Sequence, residues 1–230
     1  MENLTPKFFF DLSVWAHQSL FSNDQPVWET LKNITPYLKS LELGKIQTEI
    51  PKGVTLVKPE SISIGEGTVI QSGAYIEGPC LIGKQCEVRH GAYIRGGVIT
   101  GNGCVLGHST ELKQAILLDH AHAPHFNYVG DSILGNHVNL GAGVICANFR
   151  LDHGEVVIQL EGESMRTKLK KFGAIIGDHS QLGCNSVTNP GILLRKKTYC
   201  RPCSSLQRSN VKRGPVRDVS KPHQTQSFSS

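Results

Sequence analysis

An aliphatic residue recurs at every sixth position between residues 62 and 118, and this period limits the possible folds more than any other feature of the chain. A period of six matches neither the 3.6-residue repeat of a helix nor the plain alternation of an isolated strand. It is typical of a parallel β-helix, in which short strands wind as a solenoid and each coil buries its neighbour's inward side chains. The series is Ile64, Ile70, Ile76, Ile82, Val88, Ile94, Thr100, Leu106, Leu112 and Leu118.

A second inward position, four residues after each member of this series, holds side chains of modest size until Ile116 interrupts it. These residues are Thr68, Ala74, Cys80, Cys86, Ala92, Val98, Cys104 and Thr110. The combined pattern resembles that of hexapeptide-repeat acyltransferases, and the resemblance implies a left-handed β-helix with three hexads in each triangular coil. Residues separated by three hexads should then stack on one face, about 4.8 Å apart. We therefore predict an all-β fold, a left-handed parallel β-helix.

Composition and cysteine usage indicate a soluble protein of the cytoplasm. The 230 residues are 39% hydrophobic, as in ordinary globular proteins, and no apolar run approaches the 18 or so residues of a membrane span. The first residues, MENLTPKFFFDLSVW, lack the basic start and cleavage motif of a secretory signal. The seven cysteines are an odd number, and three of them occupy the small inward position, so we interpret them as reduced, packed thiols.

The positive charge is concentrated at the end of the chain. From Arg195 onward there are nine Lys or Arg residues and one acidic residue. Aromatic residues are scarce there, so contact with a small phosphate ligand, or plain solvation, is favoured over nucleic-acid binding. Cys200 and Cys203 form a CRPC motif, but no second pair completes a zinc site, and we predict no metal.

The segment before the repeats has helical character. Thr5-Pro6 is a capping residue followed by proline, and a second helical pattern begins near Pro26. We expect a small α-helical N-terminal cap at 1–48, whose apolar faces pack on the first coil. The acetyltransferase-like β-helix domain is expected at 49–203, with its coils beginning between Pro51 and Ile62.

Two interruptions are predicted within the repeats. The hexads lose register after Leu118, and residues 119–131, DHAHAPHFNYVGD, are expected to form a functional loop or bulge. A hairpin insertion is expected at about 152–173, because EVVIQLEG alternates like a strand before a turn near Gly162. The last residues, 204–230, are predicted to be a basic disordered tail.

Arg95 and Lys113 are separated by three hexads, so they should lie on one face in successive coils. Two stacked cations repel each other unless an anion lies between them, and phosphate suits an Arg–Lys pair. The alternative is that both side chains are merely solvated and splayed apart.

His125 lies in the predicted break and suits a general base, because histidine titrates near neutral pH. His120 and His122 lie close to it in sequence, which raises the alternative of a metal site similar to that of hexapeptide-repeat carbonic anhydrases. That family binds its metal through histidines on neighbouring coils. Here all three would lie on one irregular loop, so a general base is favoured.

The segment APHFNYVGDSILGNHVNLGAGVICAN, from Ala123 to Asn148, closely resembles the acetyltransferase part of the bifunctional glucosamine-1-phosphate acetyltransferase/N-acetylglucosamine-1-phosphate uridylyltransferase family. The hairpin and GPCLIG at Gly78 are more similar to archaeal-type sugar-1-phosphate nucleotidylyltransferases with an acetyltransferase domain. The resemblance extends over about residues 50–200. It implies acetyl transfer from acetyl-CoA to the amino group of a hexosamine 1-phosphate, on the way to UDP-N-acetylglucosamine, by a homotrimer.

The resemblance also implies residue roles. His125 corresponds to the catalytic base. Substrate contacts correspond to Arg95, Lys113, Tyr128, Asn139 and Asn148, and acetyl-CoA contacts to Ala142 and Cys184. The phosphate role of Arg95 and Lys113 thus follows from stacking and resemblance independently.

Three departures from that family's pattern are evident. A lysine expected soon after Asn148 is missing, and Lys168, Lys170 or Lys171 could replace it. Cys184 stands where the family has a serine. No Gly-rich nucleotide loop precedes the repeats, so nucleotidyl transfer is not expected, and a separate nucleotidyltransferase is a candidate partner. The alternatives left open are a catalytically degenerate trimeric scaffold and the carbonic-anhydrase-like metal protein.

Overall fold

The computed structural model describes residues 4–160 and 163–207 and is a solenoid of short parallel strands. This architecture confirms the parallel β-helix predicted from the six-residue period. The helices are α1 (Pro6–Phe9) and α2 (Thr30–Ser40), with 3-10 turns at Gln18–Leu20, Val27–Glu29 and Pro59–Ser61. The strands are β1 (Thr55–Val57), β2 (Ile62–Ile64), β3 (Val69–Ile70), β4 (Tyr75–Glu77), β5 (Cys80–Ile82), β6 (Glu87–Val88), β7 (Tyr93–Arg95), β8 (Val98–Thr100), β9 (Val105–His108), β10 (Glu111–Leu117), β11 (His122–His125), β12 (Tyr128–Leu134), β13 (Asn139–Leu140), β14 (Ile145–Cys146), β15 (Val157–Leu160), β16 (Glu163–Arg166), β17 (Ala174–Ile176), β18 (Gln181–Leu182), β19 (Val187–Thr188), β20 (Ile192–Leu194), β21 (Tyr199–Cys200) and β22 (Ser205–Leu206).

The coils present three faces. Face A consists of β1, β4, β7, the first halves of β10 and β12, β14, β19 and β22. Face B consists of β2, β5, β8, the second halves of β10 and β12, β17 and β20. Face C consists of β3, β6, β9, β11, β13, β18 and β21. The chain passes from face C to face A at the A–C corner (residues 126–127 in one coil) and from face A to face B at the A–B corner (residues 130–131 in that coil).

The interior is filled as the repeat predicts. Ile76 pairs with Ile94, three hexads later, and both side chains are fully buried. Cys80, Cys86 and Cys104 are buried free thiols, as predicted for the small inward position. Burial raises the pKa of the Cys80 thiol to about 12, so this thiol stays neutral in the core.

The register slips earlier than predicted, at the A–B corner beside Gln114. Ile94 pairs with Leu112, which is three full hexads later, but Val98 pairs with Ala115, which is one position short of three hexads. The corner is one residue shorter than in the preceding coil, and Gln114 takes a left-handed conformation with φ 46°. The shorter corner shifts the inward positions by one residue.

This shift accounts for the irregular end of the predicted series. Ala115 and Leu117 lie in the solenoid core, whereas Ile116 and Leu118 pack in a separate cluster outside it. The prediction that Leu118 points inward is therefore wrong. The prediction of a loop or bulge at 119–131 is also wrong, since β11 and the first residues of β12 continue the stack there.

The N-terminal segment covers face B and does not cap the first coil as predicted. Face B presents an outward column of aliphatic side chains, which pair in register from coil to coil: Ile99, Ile116, Ile133, Ile175 and Leu193. These residues form one buried cluster with side chains of the N-terminal segment that include Phe9, Trp15, Trp28, Ile34 and Leu38. Full burial of each such side chain contributes about 1.5–3 kcal/mol, so this column determines where the segment packs.

Backbone contacts fix the same segment at the edge of face B. The Asp11 N–H donates to Asp178 Oδ2 at 2.6 Å, and the Asp178 N–H donates to the Phe9 carbonyl at 3.0 Å. The Asn136 side-chain amide donates to the Asp11 carbonyl at 2.9 Å. Faces A and C are thus the two faces that this segment leaves open.

The ends of the repeat domain differ slightly from the predicted boundaries. A bridge between Ile46 and Ile64 places the first coil before residue 49, and β22 extends the last coil beyond residue 203. The predicted hairpin is present as antiparallel β15 and β16. The predicted tail lies outside the described residues from 208 onward. Neither helix in the described part is long and apolar enough to cross a membrane.

Candidate active site

His125 is the last residue of β11 and lies at the A–C corner. The Gly143 N–H donates to the His125 carbonyl at 3.0 Å, and the Asn185 N–H donates to the Ala142 carbonyl at 2.8 Å. These two bonds repeat the same corner geometry in successive coils. They place His125, Ala142 and Cys184 one above another, a column that brings together the predicted base and the two residues predicted to contact acetyl-CoA.

The ring of His125 differs from those of the histidines below it in this column. The Nδ1 of His90 donates to the Ser72 carbonyl at 2.6 Å, and the Nδ1 of His108 donates to the His90 carbonyl at 2.9 Å. The side chain of His125 is exposed, and its ring has no hydrogen-bond partner within 4–160 and 163–207. Both ring nitrogens can therefore reach a ligand.

The backbone N–H of Ala142 is also available. It has no acceptor in the part of the chain that the structure describes, and the residue lies between two short strands. An unsatisfied N–H beside an exposed imidazole combines a proton acceptor with a hydrogen-bond donor suited to an oxyanion. This pairing is what acyl transfer to an amine requires.

A polar cluster occupies the opposite edge of face A, at the A–B corner. The Asn148 Nδ2 donates to Asp131 Oδ2 at 2.5 Å and to the Tyr128 hydroxyl oxygen at 3.2 Å. The Lys113 Nζ donates to the same Asp131 Oδ2 at 3.2 Å. Burial raises the pKa of the Tyr128 hydroxyl, so it remains a hydrogen-bond donor at neutral pH.

Arg95 and Lys113 stack as predicted, but they are not unpaired cations. Strands β7 and β10 pair through Ile94 and Leu112, which makes the next residues of each strand neighbours on face A. Arg95 Nη1 is 2.7 Å from Glu111 Oε1, and Lys113 Nζ is 3.2 Å from Asp131 Oδ2. The premise that only an external anion could offset their repulsion is therefore wrong, because two carboxylates already do so.

Asn139 lies on face C, where it pairs in register with His122. It is thus separated from Tyr128 and Asn148 by the A–C corner. Strand β12 rises about 3.3 Å per residue, so the three steps from Tyr128 to Asp131 add about 10 Å between the two edges of face A. Within one chain, His125 lies at the A–C corner, Asn139 lies three register positions before it on face C, and the polar cluster lies at the A–B corner.

His120, His122 and His125, the histidines of the metal alternative, lie respectively before β11, at its start and at its end. His120 stacks at the B–C corner with His137 and His179, with ring centroids 4.9 and 5.0 Å apart and ring planes within 10° of parallel. Parallel rings about 5 Å apart cannot both direct in-plane nitrogens at one ion about 2.1 Å away. No group of three candidate ligands is found among the described residues.

Glu111 and Asp131 were not among the site residues predicted from the sequence. Glu111 lies two positions before Lys113 on the same strand, so the outward alternation of β10 carries a signal that could have identified it. Asp131 follows Lys113 by 18 residues, so the three-hexad spacing that links Arg95 to Lys113 carried a signal for this carboxylate as well. For the missing lysine, the structure brings Lys171 next to Phe149: the two residues form a bridge, and the ammonium is 6.0 Å from the ring centre.

Comparisons with known proteins agree with this architecture. The family model described as "GMPPB C-terminal domain" matches residues 76–198. The bifunctional sugar-1-phosphate nucleotidylyltransferase/acetyltransferase of Sulfurisphaera tokodaii is 38% identical over 82 residues, which is 36% of this chain and 20% of that protein. The chain spans about a fifth of the length of the first curated relatives, which include several archaeal GlmU proteins.

A second relative matches along most of its length. YaiX of Escherichia coli K12, named as an acetyltransferase of uncharacterised activity, is 32% identical over 196 residues, which is 85% of this chain and 83% of YaiX. Among solved structures, the UDP-N-acetylglucosamine acyltransferase of Francisella novicida covers 70% of this chain, and 62% of that chain is covered, with 13% identity and a TM-score of 0.39. A score this low does not bear on function.

Proposed function

The chain belongs to the GMPPB C-terminal domain family, and from this premise we propose that it transfers an acetyl group from acetyl-CoA to the amino group of a hexosamine 1-phosphate. Glucosamine 1-phosphate is the expected acceptor. Relatives named as acetyltransferases support the acyl transfer, including one that matches most of the chain. The observation that carries the proposal is the exposed, unpaired imidazole of His125 in one column with the free N–H of Ala142, both within the part of the chain that the structure describes.

In the proposed reaction, the acceptor nitrogen attacks the thioester carbonyl of acetyl-CoA. His125 takes the proton that this nitrogen loses, and the tetrahedral oxyanion accepts a hydrogen bond from the Ala142 N–H. The intermediate collapses to an amide and releases CoA as its thiol after protonation of the sulfur. Cys184, one coil above Ala142, lies where it can contact the thioester end of the cofactor.

The two halves of the site suggest an oligomer. His125 lies at the A–C corner, and Asn139 lies on face C in register with His122. Lys113 and Asn148 lie at the A–B corner of the same chain, which the Tyr128 hydroxyl reaches from the start of β12. A homotrimer would complete the site if the A–C corner of one copy met face A of the next. Faces A and C are open for that contact, because the N-terminal segment occupies face B.

Acetyl-CoA consumption with a panel of amino sugars and their phosphates tests the proposal. We expect turnover with an amino-sugar 1-phosphate and little turnover with the unphosphorylated sugar. A second candidate is a scaffold without activity. It is supported by the ion pairs of Arg95 with Glu111 and of Lys113 with Asp131, since neither cation needs a phosphate as its counter-charge. No turnover on the panel, together with no thermal stabilisation by millimolar acetyl-CoA, would support the scaffold and reject the enzyme.

A further inference from the structure

Asp131 places a carboxylate at the corner position that Gln114 occupies one coil below, with a similar φ of 46°. It lies at the shortened A–B corner with φ 47°, and its carbonyl accepts the Gly173 N–H at 2.8 Å. Its side chain is only 14% exposed. Two coils below, the long corner holds Gly96 and Gly97, which have no carboxylate. The short corner therefore places a nearly buried negative charge directly beside Lys113.

Space for this arrangement comes from Gly130. A β-carbon on Gly130 would lie 2.6 Å from the Tyr128 hydroxyl oxygen and 2.7 Å from the Asn148 Nδ2. Any larger residue would push apart the two groups that meet there. The absence of a side chain at Gly130 thus allows the Asn148 amide to contact both the Tyr128 hydroxyl and the Asp131 carboxylate.

The chemistry of the carboxylate fixes the orientation of its neighbours. An ionised carboxylate only accepts hydrogen bonds, so the Asn148 amide must turn its NH₂ group toward Asp131. The carbonyl oxygen of Asn148 then faces away from Asp131 and can accept a hydrogen bond from a ligand. The Tyr128 oxygen accepts the Asn148 N–H, which leaves its own hydrogen available for donation.

We infer that Asp131 is a positioning residue of the acceptor site, which holds the Asn148 carbonyl and Tyr128 hydroxyl toward a polyhydroxylated acceptor and weakens the affinity of Lys113 for phosphate. The inference rests on the proposed function, because it assumes that face A binds a phosphorylated sugar. One carboxylate oxygen serves both Asn148 and Lys113, so orientation and charge are coupled. Weaker phosphate affinity then accompanies the ordering of the groups that contact the sugar.

Asp131→Asn separates these effects. The neutral amide leaves Lys113 without its counter-charge, so inorganic phosphate should bind about three- to tenfold more tightly by calorimetry. The new side chain can donate as well as accept, so the Asn148 amide is free to flip, and kcat for the amino-sugar phosphate should fall about tenfold or more. Asp131→Glu retains the charge and should keep phosphate affinity close to that of the wild type.

Glu29→Gln is the matched control, since it removes a carboxylate from the ion pair with Lys32 in the N-terminal segment, outside face A. It should leave phosphate affinity and kcat unchanged. Unchanged phosphate affinity in Asp131→Asn would overturn the inference. A lowered melting temperature together with a raised KM and a proportionally lowered kcat would also overturn the inference, because a merely structural role predicts that result.

The phosphate titration does not depend on turnover. If no amino-sugar phosphate is acetylated by the wild type, the proposed function fails, while tighter phosphate binding by Asp131→Asn still supports the charge role. If the wild type is active and the variant matches it in both affinity and kcat, the inference about Asp131 fails alone.

Discussion

Replacing Ile116 by alanine should destabilise the protein strongly, although this side chain points away from the solenoid core. Ile116 is fully buried between Ile99 and Ile133 on face B, and α2 packs against its strand. Removing three carbons at about 0.8 kcal/mol each gives about 2.4 kcal/mol. The cavity that remains raises the usual range for Ile→Ala to about 2–5 kcal/mol.

Urea or thermal unfolding at fixed protein concentration measures this effect. For a chain of this length each kcal/mol corresponds to about 2–4 °C, so the melting temperature should fall by about 4–20 °C. Val69→Ala is the control, because Val69 points outward on face C and is 59% exposed. Its cost should be within about 0.5 kcal/mol. Equal losses for the two variants would refute the conclusion that the N-terminal segment covers face B.

Two further predictions concern charge. Arg95→Ala and Lys113→Ala should each raise the KM for the phosphorylated sugar about ten- to a hundredfold, since charge-assisted contacts contribute about 1.5–3 kcal/mol. The affinity for acetyl-CoA should change little. Loss of acetyl-CoA binding with normal sugar binding would contradict this role. Burial, and then His120 and His179, lower the pKa of His137, so the free energy of unfolding should fall as pH drops below the ordinary histidine value of about 6.5. His137→Asn, which suits φ 55°, should flatten this dependence in urea titrations at pH 7.5 and 5.5, and an unchanged slope would count against the explanation.

The fold could be predicted from the sequence because burial inside the solenoid requires an aliphatic residue at every sixth position, and this period is visible in a single sequence. Ile76 and Ile94 stack one coil apart as expected, and so do Arg95 and Lys113 beside them. The feature that the sequence did not reveal is the corner at Gln114, which is one residue shorter than the preceding corner. Aliphatic residues follow it at both inward and outward positions, so the composition there gives no sign of the slip. After such a slip, counting in steps of six no longer distinguishes inward from outward residues.

The surface on which the N-terminal segment packs could not be predicted for a related reason. Its apolar residues require a partner, but the partner is the outward column on face B, and that column is recognisable only in the correct register. Ile116 could be interpreted only as an oversized core residue until the slip was known. Asp131 lies 18 residues after Lys113, so the regular spacing was enough to place this carboxylate beside the lysine. Its hydrogen bond with Asn148, which is 17 residues later, could be placed only in the shifted register.

The rate of acetyl transfer by His125→Ala tests the central claim most directly. The assay follows CoA release from acetyl-CoA with glucosamine 1-phosphate at saturation, and compares the wild type, His125→Ala and His90→Ala. His90 lies in the same column two coils below, where its ring is bonded to a backbone carbonyl. The account predicts a loss of about 10²–10⁴-fold in kcat for His125→Ala, the usual contribution of a general base, and little change for His90→Ala. A rate for His125→Ala close to that of the wild type would contradict it.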